Sequence, residues 1–135
     1  MNNSVNSLIN NELKYLRFWR ITGWTVVATA WYVALDPSPV DLSGIEFGDK
    51  FVHTAAYLGM MLWLSQCYAR RRRFSLAIFF VAMGIAIEFL QGWSGYRTFE
   101  VADMFANTGG ILIGWLISYT IAGKLFFNIE RLISR

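Results

Sequence analysis

Side chains that could transfer protons or hold a charged substrate recur at intervals of three or four residues in three segments of the chain. On a helix, residues at these spacings lie on one face, about one turn apart. The three groups are Asp49, Lys50, His53 and Tyr57; Glu88 and Gln91; and Asp103 and Asn107. This pattern is typical of a site that several helices build together.

Acid–base chemistry is the first role that these residues could have. Glu88 lies in an otherwise uncharged apolar stretch, where an ionisable group is costly unless it has a partner or a function. His53 carries an imidazole, the side chain most often used as a general acid or base, and Asp49, one turn before it, could fix its tautomer. We predict that His53 and Glu88 transfer protons, with Asp49 and Asp103 as the other members of the catalytic group.

The two central residues also have a structural interpretation. Glu88 could pair with Lys50 or Arg97 only to lock helices together. His53 could be a satisfied histidine at the membrane interface, hydrogen-bonded to Asp49. Both interpretations remain open from the residues alone.

Substrate binding is the second role. Arg97 lies in a short turn after Gly95, and its planar guanidinium matches a phosphate or a carboxylate, whereas Lys50 offers a point charge. We predict that Arg97 holds an external anion, and that Lys50 could do no more than balance Glu88. The residues predicted to bind substrate are Lys50, Arg97, Tyr57, Gln91 and Asn107.

A metal site is a weaker interpretation. His53, Glu88 and Asp103 carry ligand atoms that zinc or a hard cation accepts, but no tight spacing motif joins them. Cys67 is the single cysteine, so an internal disulfide and a Cys-based metal cluster are excluded. We predict no metal and no cofactor, and assign Cys67 to core or lipid-facing packing.

The elements that must position these residues are long apolar stretches. Hydrophobic residues make up 56% of the 135 residues and charged residues only 16%. Stretches of about 20 apolar residues cross a bilayer as helices, because lipid cannot hydrogen-bond open backbone. The stretches are 51–69, 74–93 and 104–123, together with 21–35, which is short for a crossing but can be extended by Phe18 and Trp19. The sequence predicts an all-α polytopic membrane protein, a four-transmembrane-helix bundle forming a single domain over residues 1–135.

The basic residues predict how this bundle lies in the membrane. Ten of the twelve Lys and Arg residues precede the first stretch, separate the second from the third, or follow the last. Such clusters mark the cytoplasmic side, so both termini and the 70–73 loop are expected there, with the 36–49 and 94–103 loops outside. The net charge of +3 reflects this bias, and nucleic acid is not an expected partner.

Both ends of the chain have the pattern of amphipathic helices on the cytoplasmic leaflet. The apolar positions are Val5, Leu8, Ile9, Leu13 and Leu16, and Leu125, Phe126, Ile129, Leu132 and Ile133. A cleavable signal peptide ending near residues 28–30 is the alternative for the first stretch, but the apolar run continues beyond this site, which favours an uncleaved anchor. Gly110 and Gly114 are assigned to close helix packing.

In this order, the motifs resemble those of the VanZ family. That family has Asp-Lys-x-x-His opening one helix, Glu-x-x-Gln ending the next, an Arg in a short turn, and Asp-x-x-x-Asn before a Gly-rich helix. The matching residues are Asp49 to His53 with Tyr57, Glu88 to Gln91, Arg97, and Asp103 to Asn107 with Gly110 and Gly114. The resemblance covers about residues 45–120. A proline tends to precede the Arg in the family, and residues 93–96 (Trp-Ser-Gly-Tyr) stand there instead.

The resemblance implies a multi-pass protein of the bacterial cytoplasmic membrane with a cell-envelope substrate, since the family is named for a member associated with teicoplanin resistance. Expected partners are membrane lipids and an anionic lipid-linked envelope precursor. The first hypothesis is a protein that binds this substrate at the extracytoplasmic face and modifies it as a hydrolase or transferase. The alternatives are a non-catalytic lipid or glycopeptide binder or assembly partner, and a proton-coupled transporter with Glu88 as relay. Few spans and no inverted repeat count against the transporter.

Overall fold

The fold is a bundle of helices in the computed structural model, which describes residues 13–38, 44 and 48–134. Within these ranges the chain forms five α-helices and no strand. The helices are α1 (Leu16–Ala34), α2 (Gly48–Cys67), α3 (Arg73–Ser94), α4 (Val101–Ile117) and α5 (Leu125–Ile133), with 3-10 turns at Arg70–Arg72 and Ile121–Lys124. The prediction of an all-α protein is confirmed for the described residues.

The first four helices overlap the four predicted apolar stretches, although the fourth helix ends at Ile117, before the predicted stretch 104–123 ends. By length and apolar composition, the segment Arg70–Ser94, with 25 residues, suits a membrane crossing on its own. The segments Val101–Ile117 and Ala122–Ile133 meet the same criteria only as a pair, and they are bent by 76° at their junction. These features are consistent with a membrane protein.

Glycines on α4 let this helix approach α2 closely. A β-carbon at Gly110 would overlap the Thr54 carbonyl, and one at Gly114 would lie 2.7 Å from the Leu58 carbonyl oxygen. The Thr54 hydroxyl also donates to the Ala106 carbonyl, at 3.2 Å. The predicted packing role of Gly110 and Gly114 is therefore confirmed, and this close approach brings the first turns of both helices together.

Apolar side chains fill the centre of the bundle and also cover its outside. Met61, Leu64 and Phe80 are fully buried between the helices. On the outer surface, Trp93 is 86% exposed and Phe105 is 74% exposed. Apolar surface of this kind marks a membrane or protein contact, since it is unfavourable in water.

One arginine of the 70–73 cluster points into the bundle. Arg73 is buried, and its guanidinium donates to the Ser65 carbonyl at 3.0 Å and to the Ser118 carbonyl at 2.6 Å. The last carbonyls of a helix have no partner within the helix, so Arg73 satisfies one at the end of α2 and one at the end of α4. It therefore joins these helix ends, besides any role in orientation.

The amphipathic helix α5 is docked on the bundle. The Phe126 ring stacks on Trp19, with ring centroids 4.1 Å apart. The buried Glu130 carboxylate accepts the backbone N–H groups of Lys14 and Tyr15 at 2.7 and 3.0 Å, and the Trp19 indole N–H at 2.7 Å. Negative charge is favourable at a helix N-terminus, so Glu130 caps the start of α1. The predicted position of this segment on the cytoplasmic leaflet can therefore concern only its exposed side, because Phe126 and Glu130 are buried against the bundle.

Two predicted features fall largely outside the described residues. Of the N-terminal amphipathic stripe, only Leu13, which is buried, and Leu16, which is half-buried, are described. The 36–49 loop is described at 36–38, 44 and 48–49 alone. The turn after α3 is described in full, and it begins at Gly95 with a φ of 80°, a conformation that ends helices and that glycine adopts without strain.

Candidate functional site

Lys50 is the centre of an ion-pair cluster at the end of the bundle opposite Arg73. Its ammonium nitrogen lies 2.8 Å from Asp49, 2.6 Å from Glu100 and 2.5 Å from Asp103. Asp49 lies in the first turn of α2 and Asp103 in the first turn of α4, where a carboxylate is favoured by the helix dipole. The close approach of α2 and α4 therefore joins two of the predicted residue groups through one lysine.

The charges in this cluster stabilise one another. Burial lowers the pKa of Lys50, but hydrogen bonds to Asp103, Asp49 and Glu100 outweigh it and raise that pKa above its ordinary value. The hydrogen bond from Lys50 in turn lowers the pKa of Asp49. Lys50 is thus a cation neutralised by nearby acids. The prediction that it balances Glu88 is wrong, because its partners are these three carboxylates.

The three carboxylates around Lys50 also lie within 4.8 Å of one another, a spacing at which a metal ion could bind. The Lys50 ammonium already contacts all three of them, so it supplies the positive charge that the group requires. The alternative ligand set of His53, Glu88 and Asp103 is not brought to this spacing in the described part of the chain. The cluster is therefore better explained as an ion-pair network than as a metal centre.

His53 is held by α4. Its Nδ1 lies 3.1 Å from Asn107 Oδ1, and its Nε2 lies 3.8 Å from the Asp103 carboxylate. The prediction that Asp49 orients His53 is wrong, because Asp49 pairs with Lys50 instead. Asn107 and Asp103 take the orienting positions, so His53 still has the carboxylate neighbour typical of an acid–base histidine.

Glu88 is fully buried, as its place in an apolar stretch led us to expect. One of its carboxylate oxygens accepts the backbone N–H of Glu100 at 3.1 Å, and the other has no hydrogen-bond partner among the described residues. Ion pairs with Lys50 or Arg97, the structural alternative, do not form within the described ranges. The geometry gives Glu88 a positioning role before α4, and its role in proton transfer stays a prediction.

Gln91 connects α3 to the end of α1. Its side-chain nitrogen donates to the Ala34 carbonyl at 2.7 Å, and the Tyr96 hydroxyl donates to the Leu35 carbonyl at 3.2 Å. These bonds satisfy carbonyls at the C-terminus of α1. The nitrogen of Gln91, a residue predicted to bind substrate, therefore already has a partner in the protein.

A cavity of about 230 Å³ opens between the first four helices, beside His53. Its polar lining consists of Asp49, His53, Tyr57, Gln91, Arg97 and Asn107. Its apolar lining consists of Ala30, Val33, Ala34, Val52, Ala56, Met60, Met83 and Ile87. Apolar walls with a few polar groups are the usual lining of a small-molecule site. Six of the nine predicted site residues thus line one cavity, whereas Lys50, Glu88 and Asp103 lie outside its lining.

Glu100 and Gly84 belong to this region and were not predicted. Glu100 pairs with Lys50 through its side chain and with Glu88 through its backbone N–H. Its place at the N-terminal boundary of α4 could have indicated it, since acids are favoured there. Gly84 lies against Tyr57 and Asn107, and no local spacing distinguishes it from any other packing glycine.

These observations define the class: an all-α bundle, consistent with a membrane protein, with a largely apolar cavity at the end away from the basic cluster. The model of one family, VanZ/LLP1, matches residues 2–123. The chain therefore belongs to the VanZ/LLP1 family, and the resemblance seen in its motifs is confirmed. No curated protein and no solved structure matches the chain.

Proposed function

We propose that this protein is a multi-pass protein of the bacterial cytoplasmic membrane that binds an anionic, lipid-linked cell-envelope substrate at the extracytoplasmic face. The observation that carries the proposal is the cavity, which combines Arg97 and His53 with a predominantly apolar lining. An amphiphile suits this division, because its anionic head would bind the guanidinium and its chain would contact the apolar wall.

Arg97 is the residue proposed to hold the anion. The ion pairs in the described part of the chain involve Lys50 and His53, not Arg97. Lys50, the other cation at this end, is already surrounded by three carboxylates. A guanidinium that lines an apolar cavity binds phosphate or carboxylate more strongly than one in open water, since a low dielectric strengthens the attraction.

The way α1 is attached supports access from the side by a lipid chain. Near the basic end α1 is bonded to α2, where the Arg20 guanidinium donates to the Cys67 carbonyl at 3.0 Å. At its other end α1 is bonded instead to α3, through Gln91. Val33 of α1 and Val52 of α2 line the cavity and are 53% and 51% exposed. A chain of the surrounding bilayer could reach the cavity between these two valines.

The proposed arrangement has four crossings and both termini in the cytoplasm. Helices α1 and α2 contain 19 and 20 residues, close to the roughly 20 that a crossing needs. Helix α4 is shorter, with 17 residues, and the bent segment after it extends its apolar run. The arginines of the 70–73 cluster lie at the opposite end from Arg97, as the positive-inside bias requires.

Binding is tested by titrating the purified protein in uncharged detergent with dioleoyl phosphatidic acid and measuring the affinity by native mass spectrometry. Arg97→Ala should weaken binding roughly tenfold to a hundredfold, the loss of one or two charge-assisted hydrogen bonds. Arg72→Ala, at the other end of the bundle, is the matched control and should bind as the wild type does. Equal affinity of the Arg97 variant and the wild type would contradict the proposal.

The orientation is tested separately, with single cysteines added to a Cys67→Ser background. In intact cells, an impermeant maleimide should label Thr98→Cys, and it should label Arg71→Cys only after the membrane is opened. The reverse pattern would place the cavity on the cytoplasmic side and overturn the proposed topology, while leaving ligand binding itself untouched.

Family membership also motivates a cellular expectation, a contribution to resistance against teicoplanin-type glycopeptides. Expression in a sensitive host should raise the inhibitory concentration of teicoplanin, and Arg97→Ala should remove this effect at equal protein level. An unchanged inhibitory concentration in the wild type would limit the proposal to lipid binding.

Catalysis by His53 is a second candidate, favoured by the approach of Asp103 to the imidazole of a residue that lines the cavity. The described lining contains no Ser or Cys, so water would be the nucleophile and His53 its base: the water oxygen would bond to phosphorus, the bond from phosphorus to the lipid oxygen would break, and His53 would return the proton to that oxygen. His53→Gln should retain lipid binding and abolish release of the head group, which chromatography of the lipid products would detect. Full turnover by this variant would exclude His53 as the base.

A further inference from the structure

The cavity follows the helix axes. Six of its lining residues form two rows in which successive members are four residues apart. The rows are Val52, Ala56 and Met60 on α2, and Met83, Ile87 and Gln91 on α3. Residues at this spacing lie above one another on one face of a helix. The cavity is therefore a slot that runs along both helices, and not a round pocket.

The dimensions of this slot match one straight hydrocarbon chain. Each row covers two helical turns, about 12 Å at a rise of about 1.5 Å per residue, and the cavity volume is about 230 Å³. A methylene group takes about the space of a water molecule, roughly 30 Å³, so this volume holds about eight methylene groups. An extended chain advances about 1.2 Å per bond, so about eight such groups reach roughly 10 Å.

The slot has a closed end and an open end. Met60 and Met83, at the inner end of the rows, are each 4% exposed. Val52, at the other end of its row, is 51% exposed, and Arg97 belongs to the same lining. A head group held by Arg97 would therefore direct the first carbons of its chain toward the two methionines. Ala56, midway along α2, is exposed, so later carbons could leave sideways into the bilayer.

Resting on the proposed function, we propose that the slot binds one unbranched fatty chain, and that the ligand is a lipid with straight fatty chains rather than a polyprenyl phosphate. A polyprenyl chain carries a methyl branch in each isoprene unit. A slot that one straight chain fills has room for these branches only if its side chains are displaced, which is unfavourable in a packed protein. The second chain of a two-chain lipid would remain in the surrounding bilayer.

The test compares three probes in uncharged detergent by native mass spectrometry: dioleoyl phosphatidic acid, diphytanoyl phosphatidic acid and a polyprenyl phosphate. The first two share the head group and the ester linkage, whereas only the phytanoyl chains carry methyl branches. The wild type should bind the dioleoyl lipid about tenfold more tightly than the diphytanoyl lipid, the expected effect of overpacking. Met83→Ala widens the slot and should reduce this preference to about twofold or less. Met104→Ala, on a half-buried methionine outside the lining, is the matched control and should keep the full preference.

A second pair of variants narrows the slot instead. Ala56→Leu places a larger side chain in the lining, whereas Ala55→Leu places the same side chain on the adjacent residue outside it. The first change should weaken binding of dioleoyl phosphatidic acid about tenfold, and the second should leave it unchanged. Both alanines are exposed in the free protein, so the two variants should fold as the wild type does.

Equal or tighter wild-type binding of the diphytanoyl lipid, or tighter binding of the polyprenyl phosphate, would overturn the straight-chain assignment while leaving an anionic-lipid binder in place. Undiminished affinity in Ala56→Leu, or a full preference in a folded Met83→Ala protein, would also overturn it. If none of the three probes binds in a way that depends on Arg97, the proposed function itself fails, so the two failures are distinguishable. Unfolding temperatures of the variants, measured alongside, confirm that each one is folded.

Discussion

The two ends of the bundle both concentrate polar side chains, and they use them differently. At the basic end, Arg73 donates to the ends of α2 and α4, and Glu130 accepts three donors at the start of α1. At the other end, Arg97 lines a cavity and has no ion-pair partner among the described residues.

This difference shows how structural polar groups can be separated from ligand-binding ones. A buried group whose hydrogen bonds are complete stabilises the fold and has little left to offer a ligand. Groups left incomplete beside an empty volume are unfavourable for the free protein and become favourable when a ligand supplies the missing atoms. By this criterion, the proposed ligand binding belongs to the cavity end, whereas Arg73 and Glu130 serve the stability of the basic end.

The largest expected effect comes from Arg73, at the basic end. Arg73→Met keeps much of the volume but leaves the Ser65 and Ser118 carbonyls buried without their donor. The free energy of unfolding in detergent should fall by about 3 kcal/mol. Arg72→Met, on the exposed neighbour, should change it little, and the folded Arg73 variant should bind lipid normally. A reduced lipid affinity of the folded Arg73 variant would contradict the claim that the basic end serves stability and not ligand binding.

The second prediction concerns the contact that holds the cavity end together. Gly110→Ala places a methyl group against the Thr54 carbonyl, whereas Gly109→Ala places one in open space. Both changes raise helix propensity equally, so their difference isolates the packing of α4 on α2. Gly110→Ala should be less stable than Gly109→Ala by about 2 kcal/mol in chemical denaturation. Equal stability would show that the helices can separate without cost.

A smaller effect is expected for Glu130. Glu130→Gln removes the negative charge at the start of α1 and replaces an acceptor oxygen with a donor, so the free energy of unfolding should fall by about 1 kcal/mol. Arg131→Gln, the adjacent exposed residue, is the control in the same thermal melts. A stable Glu130 variant would mean that the other contacts of α5, such as the Trp19–Phe126 stack and the hydrogen bond from the Phe126 backbone N–H to Gln66, suffice to dock it.

The smallest effect is expected for Asp49. Its side chain is 52% exposed, and Lys50 keeps two other carboxylates when it is lost, so Asp49→Asn should change stability by no more than about 0.5 kcal/mol. Because folding lowers the pKa of Asp49, its stabilisation is present above the ordinary Asp pKa of about 4 and is lost as the pH falls through the lower, folded value. Melts of wild type and variant should therefore converge in acid.

Helix positions and the gathering of polar residues at one end followed from the sequence, because both depend on local periodicity and on charge. The close packing at Gly110 and Gly114 followed for the same reason, since small residues four apart form one groove on a helix. These are properties that neighbouring residues determine among themselves.

The hydrogen-bond and ion-pair partners of the polar side chains could not be predicted from the sequence. The four consecutive arginines cannot be told apart by residue type. Only Arg73 lies on the helical face of the buried Leu76 and Phe80, and this position could have predicted that Arg73 is the buried one. Lys50 was expected to pair with Glu88, but it pairs with Glu100 and Asp103. This choice depends on how close α4 comes to α2. That distance is set by contacts between segments far apart in the chain, which local spacing cannot show.

The most direct test of the central claim is the rise in unfolding temperature that saturating dioleoyl phosphatidic acid produces in wild type, Arg97→Ala and Arg73→Met. A ligand stabilises only a protein that binds it. We predict that Arg73→Met begins at a lower temperature and keeps the lipid-dependent rise, whereas Arg97→Ala begins near the wild type and shows a much smaller rise at the same lipid concentration. A rise that survives in Arg97→Ala and disappears in Arg73→Met would contradict the assignment of binding to the cavity end.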